Sequence, residues 1–251
     1  MTLGRAFVTR RKPEPGAGAV AARGRRDTGR GRGTPAHRSE SEAASAGESA
    51  AVSVLDGPGA RILLTAAVDA MVEHGYHGTS VRDIAERAGM SAAALYHHFP
   101  SKQVLLFTIM DRGMDDLVRR SEEAYTAAPD DPAAQLRALV RLHVLRHIEH
   151  QRESFLGNSE LRSLDEPGRG TILAKRDRQM RLFYRVVREG VERGQFRTRF
   201  PAEAARGIVT MCTAVATWYR EAGPLSAQEI ADRYAEIALA MVGQRYAGSD
   251  R

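Results

Sequence analysis

From residue 58 onward the apolar residues recur at intervals of three and four, the period of an amphipathic helix, and clusters of β-branched residues are scarce. Leu63, Ala66, Ala67, Ala70 and Met71 make the first stripe and predict a helix over 58–74, with Pro58 suited to its start and Gly75 to its stop. Val81, Ile84, Ala85 and Ala88 fall at i, i+3, i+4 and i+7 of a second, short helix. Ser80 precedes it and Asp83 follows three positions on, a capping box with a shortened acid. Gly89 suits a left-handed turn. Ser91 then caps a third helix in which Leu95 and Phe99 point inward, leaving Ala92, Ala93, Tyr96 and His97 outside. Pro100 ends that helix, because the residue before a proline avoids helical angles, and Ser101 opens a fourth over 102–127.

Pro129-Asp130-Asp131-Pro132 is a turn, after which the helical period resumes. It predicts a helix over 133–150, a break at Gly157-Asn158, and a shorter helical piece ending near Leu164. Asp165-Glu166-Pro167-Gly168 reads as another turn before a long helix over 169–193, closed by Gly194. Two further helices follow over 201–220 and 226–246; Gly223-Pro224-Leu225 separates them, and Ser226 with Glu229 forms a full capping box for the second. Ile230, Tyr234, Ile237, Ala238 and Met241 would lie on one side of that last helix. The expected architecture is all-α: an N-terminal three-helix helix-turn-helix domain and a C-terminal helical domain.

Residues 1–55 are rich in Gly, Ala, Arg, Ser and Pro and poor in large apolar groups, so they cannot bury enough surface to offset ordering and are expected to be a disordered basic tail. The net charge of +6 is concentrated there. Residues 1–38 carry +8, residues 39–60 carry −4, and the other 191 carry only +2, so the basicity says little about the folded part. Arg23-Gly24-Arg25-Arg26 can neutralise DNA phosphates without sequence preference. An extension with no role of its own is the plainer reading.

Two short helices around a Gly turn form the layout of a reader that lays its second helix in the major groove. Residues 60–107 resemble the N-terminal DNA-binding domain of the TetR family of transcriptional repressors, through Thr79-Ser80-Val81-Arg82-Asp83-Ile84-Ala85, Ala88-Gly89-Met90-Ser91 and Leu95-Tyr96-His97-His98-Phe99-Pro100-Ser101-Lys102. The resemblance implies domains at 56–107 for DNA binding and 108–247 for ligand binding and dimerisation. It implies that Ser80, Tyr96, His97 and Lys102 touch the sugar-phosphate backbone of a double-stranded operator. Arg82, Ala92 and Ala93 would lie near base edges, with Ser91 at the start of the reading helix. Alanine can meet a thymine methyl but cannot recognise guanine, so direct readout would rest on Arg82, His97 and DNA shape.

Asn158 to Leu164, Lys175-Arg176-Asp177-Arg178, Glu189-Gly190 with Gly194-Gln195-Phe196, and Ala216-Thr217-Trp218-Tyr219-Arg220 are similar to a TetR-family branch that regulates fatty-acid, sterol and aromatic-acid catabolism. Several of its members respond to acyl-CoA thioesters. The resemblance implies a small-molecule effector, with an acyl-CoA as one class and a multidrug or other hydrophobic ligand as the alternative. An acyl-CoA needs an apolar channel and cations for its phosphates. Arg162, Arg176 and Arg178 are the candidate cations, and Phe155, Leu161 and Trp218 the candidate walls. The small residues Ala204, Gly207, Ala214 and Ala216 allow close helix approach, and the last two helices are apolar enough to build a four-helix bundle in a homodimer.

His143, His147 and His150 share one helix face, a spacing that can hold a metal, but no Cys lies nearby and polar lining or surface is the preferred reading. No metal or cofactor is expected. The single Cys212 sits in an apolar run and suits inert packing in a reducing cytoplasm. No Gly-rich phosphate loop, nucleophile elbow or carboxylate pair marks an enzyme. No membrane partner is expected, because the longest apolar run is about 12 residues. An architectural DNA-packaging protein, the remaining rival, would need a strongly basic folded part.

Overall fold

Three serines set where the helices of the reader begin. Asp83 N–H donates to Ser80 Oγ, Ala94 N–H to Ser91 Oγ and Val104 N–H to Ser101 Oγ, each at 3.1 Å. Each satisfies one of the four backbone donors that a helix start leaves open. At Ser80 the box is closed by Asp83 Oδ2, which accepts from the Ser80 N–H at 2.8 Å. The computed structural model describes residues 57–244; the expected tail at 1–55 and the last residues of the expected C-terminal domain lie outside them. Among the described residues the helices are α1 (Pro58–Gly78), α2 (Val81–Arg87), α3 (Ala92–His98), α4 (Lys102–Ala127), α5 (Pro132–Glu149), α6 (Gln151–Ser159), α7 (Glu166–Glu192), α8 (Pro201–Thr213), α9 (Val215–Trp218) and α10 (Ala227–Met241), with a 3₁₀ turn at Leu161–Ser163. None of them is long and apolar enough to cross a membrane.

The helix α1 is broken at Gly75, whose φ of 73° no side chain adopts cheaply. The carbonyls loosened there are taken by Thr79, which is buried and whose hydroxyl lies 2.8 Å from Gly75 O and 3.1 Å from Ala70 O. Gly89, with φ of 66°, makes the tight turn between α2 and α3. One core joins Leu63, Ala67 and Met71 of α1 to Ile84, Leu95, Phe99, Leu105 and Leu106, and it also takes in Leu156 of α6, Leu164 and Ile172 of α7. A second core forms around α5: Leu136, Leu139, Val140 and Val144 meet Phe183, Val186 and Val187 of α7, Ile208 and Cys212 of α8, and Ala231, Ala235 and Leu239 of α10. Ion pairs Arg137–Glu236 and Arg141–Asp232 fasten α5 to α10.

Four boundaries differ from the sequence expectation. Gly157-Asn158 does not break a helix; both lie inside α6, and the chain turns instead at His150 (φ −118°, ψ 50°). Pro167 and Gly168 fall inside the first turn of α7, since a proline there loses no hydrogen bond and Asp165 caps Gly168 N–H at 2.9 Å. The helix expected over 201–220 is interrupted at Ala214, a site without a helix-breaking residue. The last helix stops at Met241 because Gly243 turns left-handed (φ 64°) and Val242 O accepts from the N–H groups of Arg197 and Thr198. In α10, Ile230 and Ala238 are buried, whereas Ile237 and Met241 of the expected common stripe are exposed.

The end of α7 depends on one close approach. Gln195 and Phe196 N–H groups both donate to Gly190 O, at 2.9 and 3.0 Å, and this folds the Phe196 ring directly over Gly190. A methyl group on Gly190 would overlap that ring. Gly190→Ala is therefore expected to destabilise the fold by about 1–3 kcal/mol, the cost of overpacking, and to lower the melting temperature by roughly 3–10 °C in a thermal denaturation scan.

Candidate DNA interface and effector cavity

The outer face of the reader is built by elimination. Leu95 and Phe99 are fully buried, and with them fixed, Ala93, Tyr96 and His97 stand exposed on α3. Ala92 is half-buried, and Ser80, Arg82 and Ser91 are exposed beside them. Arg82 forms no ion pair among the described residues, whereas Arg87 is held by both carboxylate oxygens of Glu73 (3.0 and 2.5 Å). The Asp83 carboxyl is held below its usual range by the Ser80 backbone and hydroxyl that it caps. The sequence-predicted contacts Ser80, Arg82, Ser91, Ala92, Ala93, Tyr96 and His97 thus lie together on α2 and α3.

Lys102 is placed differently. Its ammonium donates to Tyr76 O (2.7 Å) and Thr79 O (2.6 Å), and it lies 4.3 Å from the centroid of the Tyr76 ring. A cation at a helix start opposes the helix dipole, and besides the phosphate contact expected from sequence the structure gives it a second role, since it ties the broken end of α1 to the start of α4. One of its three N–H donors remains for a phosphate.

A cavity of about 490 Å³ opens between α4, α5, α6, α7 and α8. Met110, Met114, Leu117, Ile172, Met180 and Val209 give it apolar walls. Its polar lining comes from His143, Arg146, His147, Arg176, Gln179 and Thr213 among others. Arg146 is compensated, since its Nε donates to Asp116 Oδ2 at 2.6 Å. Burial acts to raise the Asp116 carboxyl, but the hydrogen bonds from Arg146 and Arg119 outweigh it and hold the group below its usual range. Arg176 has no carboxylate partner among the described residues: it donates to Gly157 O (2.9 Å) and Asn158 Oδ1 (3.4 Å), and burial lowers its pKa. Glu153 also lines the cavity, 3.7 Å from His150. Among the described residues no group of three or more His, Cys, Asp or Glu is placed to hold a metal ion.

Of the six ligand residues read from sequence, only Arg176 lines this cavity. Arg178, two residues on, points off the cavity face and pairs with Glu122 at 2.7 Å. Arg162 is exposed on the 3₁₀ turn and Leu161 packs against the core of the reader. Phe155 is exposed, and Trp218 leans on Tyr234 with ring centroids 6.2 Å apart. The sequence reading passed over Asn158, Gln179 and Thr213 as lining. Gln179 was findable, because it repeats with Ile172 and Arg176 at helical spacing.

The α6 helix faces both ways. Glu153, Ser154, Gly157 and Asn158 wall the cavity, while Leu156 is fully buried in the core of the reader. Arg152 reaches α1 at Asp69 (2.7 Å) and Glu73 (3.5 Å), and Glu160 Oε1 accepts from Tyr76 N–H at 3.4 Å.

Comparison with known proteins gives two family matches. Residues 63–109 match the bacterial regulatory proteins of the tetR family, and residues 129–242 match the tetracyclin repressor-like C-terminal domain. The HTH-type transcriptional repressor KstR2 of Rhodococcus jostii is 32% identical over 179 residues, covering 70% of this chain and 87% of that one. A tetR-family regulatory protein from Rhodococcus RHA1 superposes with a TM-score of 0.71 at 28% identity, over 76% of this chain and 100% of the other. AibR in complex with isovaleryl coenzyme A and operator DNA gives a TM-score of 0.66 at 26% identity, over 74% and 98%.

The histidines of the cavity make stability depend on pH. Burial holds the His147 imidazole down at about 4 against an ordinary 6.5; the Arg146 and Arg176 charges act in the same direction, and the bond to His143 O opposes them. Between those values the unfolded chain binds the proton and the folded chain does not. The stabilisation is therefore complete above pH 6.5 and is lost as the pH falls toward 4. Denaturant titrations across this window are expected to lose up to about 3 kcal/mol through this group, and His147→Gln to flatten that part of the slope.

Proposed function

The chain belongs to the TetR family of transcriptional regulators, and from that premise we propose that it is a homodimeric repressor released from a palindromic operator by an acyl-CoA thioester. The family is one of effector-responsive DNA-binding regulators rather than enzymes. Ser80, Ser91, Tyr96 and His97 serve the operator backbone, Arg82 and the small face of Ala92 and Ala93 meet base edges, and Lys102 stands behind them with its remaining donor. Two such readers bind half-sites about one helical turn apart, or a multiple of that.

One observation carries the sensing half of this reading: the helix that walls the cavity is the helix that docks on the reader. A cavity of about 490 Å³ holds an acyl group and the near part of a pantetheine arm rather than a whole CoA. Arg176, a guanidinium without a carboxylate partner among the described residues, is the charged donor offered to the thioester or pantetheine carbonyl oxygens. A ligand that draws Arg176 away from Gly157 O and Asn158 loosens the end of α6, and through Arg152 and Glu160 alters the seat of α1. Its leverage equals its differential affinity for the two arrangements. AibR, solved with isovaleryl coenzyme A, is a precedent at 26% identity. The dimer reading draws on Trp218, Ile237 and Met241, large apolar side chains exposed on α9 and α10.

In a gel-shift assay on the promoter region of its own gene, medium- and long-chain acyl-CoAs are expected to release the protein. Arg176→Gln, which also removes the tie to Gly157 O, should weaken operator binding without ligand and raise the acyl-CoA concentration needed for further release about tenfold or more. Equal release by the free acids would replace the thioester with a simple carboxylate, and silence toward every thioester removes this effector class. By sedimentation velocity the protein is expected to run as a dimer and Ile237→Asp as a monomer; a monomeric parent chain rules the dimer out.

A further inference from the structure

Within the cavity, one polar constellation is separate from Arg176. His143 is buried, and each of its ring nitrogens has one partner: Gln179 Nε2 lies 2.7 Å from Nδ1 and Thr213 Oγ1 lies 2.9 Å from Nε2. An amide nitrogen can only donate, so Nδ1 is the acceptor and the proton sits on Nε2. Nε2–H therefore donates to Thr213, whose oxygen is used as an acceptor and whose own proton has no protein acceptor among the described residues. Thr210 and Thr217 line the same cavity, but their hydroxyls donate back to Arg206 O and Ala214 O. Only the Thr213 hydroxyl is turned outward by a histidine behind it.

The second histidine supplies the complementary half. The His147 ring stacks on His143 at 4.2 Å with 11° between planes, and its Nδ1 lies 2.8 Å from His143 O. A carbonyl only accepts, so Nδ1 carries the proton and Nε2 is left as a lone pair with no protein donor among the described residues. The ring lines the cavity. One neutral donor and one neutral acceptor are thus held by a fixed tautomer chain in a mostly apolar chamber.

We infer that the apolar body of the effector carries an uncharged oxygen function, a hydroxyl or a ketone, received by the Thr213 hydroxyl and, for a hydroxyl, also by His147 Nε2. This rests on the effector reading above and narrows it: the ligand is an oxygenated acyl group rather than a plain saturated chain. A saturated chain would strip water from both atoms and return nothing, which is how a buried polar site rejects an apolar analogue.

The test compares decanoyl-CoA with 3-hydroxy-, 3-oxo- and ω-hydroxydecanoyl-CoA on the full chain bound to its operator. At least one oxygenated thioester is expected to release the operator at a tenfold lower concentration than decanoyl-CoA. Thr213→Val should abolish that advantage and Thr213→Ser should keep it. No advantage in the parent chain, or an advantage that survives in Thr213→Val, overturns the inference. Should no thioester act, the thioester reading falls alone, and ¹⁵N-histidine NMR decides this one. Cyclohexanol is then expected to shift the His147 Nε2 resonance while methylcyclohexane does not; equal response to both overturns it.

Discussion

A helix of nine residues cannot join a buried core and a cavity wall without coupling them. The α6 helix gives Leu156 to the packing under the reader and Gly157 and Asn158 to the cavity wall, and its far end is held by the Arg176 guanidinium. Side chains on opposite faces of one rigid element cannot move independently, because the backbone hydrogen bonds that define the helix would have to break first. In the proposed mechanism this coupling carries the effect of a bound ligand to the packing beneath α1, and no longer chain of contacts is needed.

The polar links around this element differ in kind. Arg152 and Glu160 meet α1 through contacts of 2.7–3.5 Å at a half-exposed surface, where individual ion pairs are weak and exchange easily. Lys102 makes two short bonds to carbonyls at the break in α1, which fixes the reader internally. The polar contacts inside the reader are thus less exposed to solvent than those that join it to α6, while Leu156 supplies the buried part of that junction.

What the sequence revealed follows from the range of the forces involved. Caps, the Gly89 turn and the inward pair Leu95 and Phe99 are decided within four residues, so they could be read directly. The cavity is assembled from residues as distant as Met110, His143, Gln179 and Thr213, and no local pattern reports that they converge. Part of it was nonetheless accessible. Arg176 and Arg178 are separated by about 200° on a helix, so both could not face one ligand, and the buried phase of Ile172 and Gln179 selects Arg176. Trp218 was beyond reach for the opposite reason: the interruption at Ala214 resets the helical phase, and nothing in the residue types announces it. His143 and His147 were read as polar lining or surface, and their fixed tautomers became visible only with Gln179 and Thr213 in place.

Cys212 is the single cysteine of the chain, and it lies fully buried between α5, α7 and α10, where burial pushes its thiol up to about 12. Peroxides and alkylating agents attack the thiolate, so this sulfur is shielded twice, by access and by ionisation. This thiol is thereby kept from taking part in redox chemistry while the fold is intact. The same shielding turns the residue into an internal seal: any reagent that marks it reports that the packing of the helices around α5 has come apart.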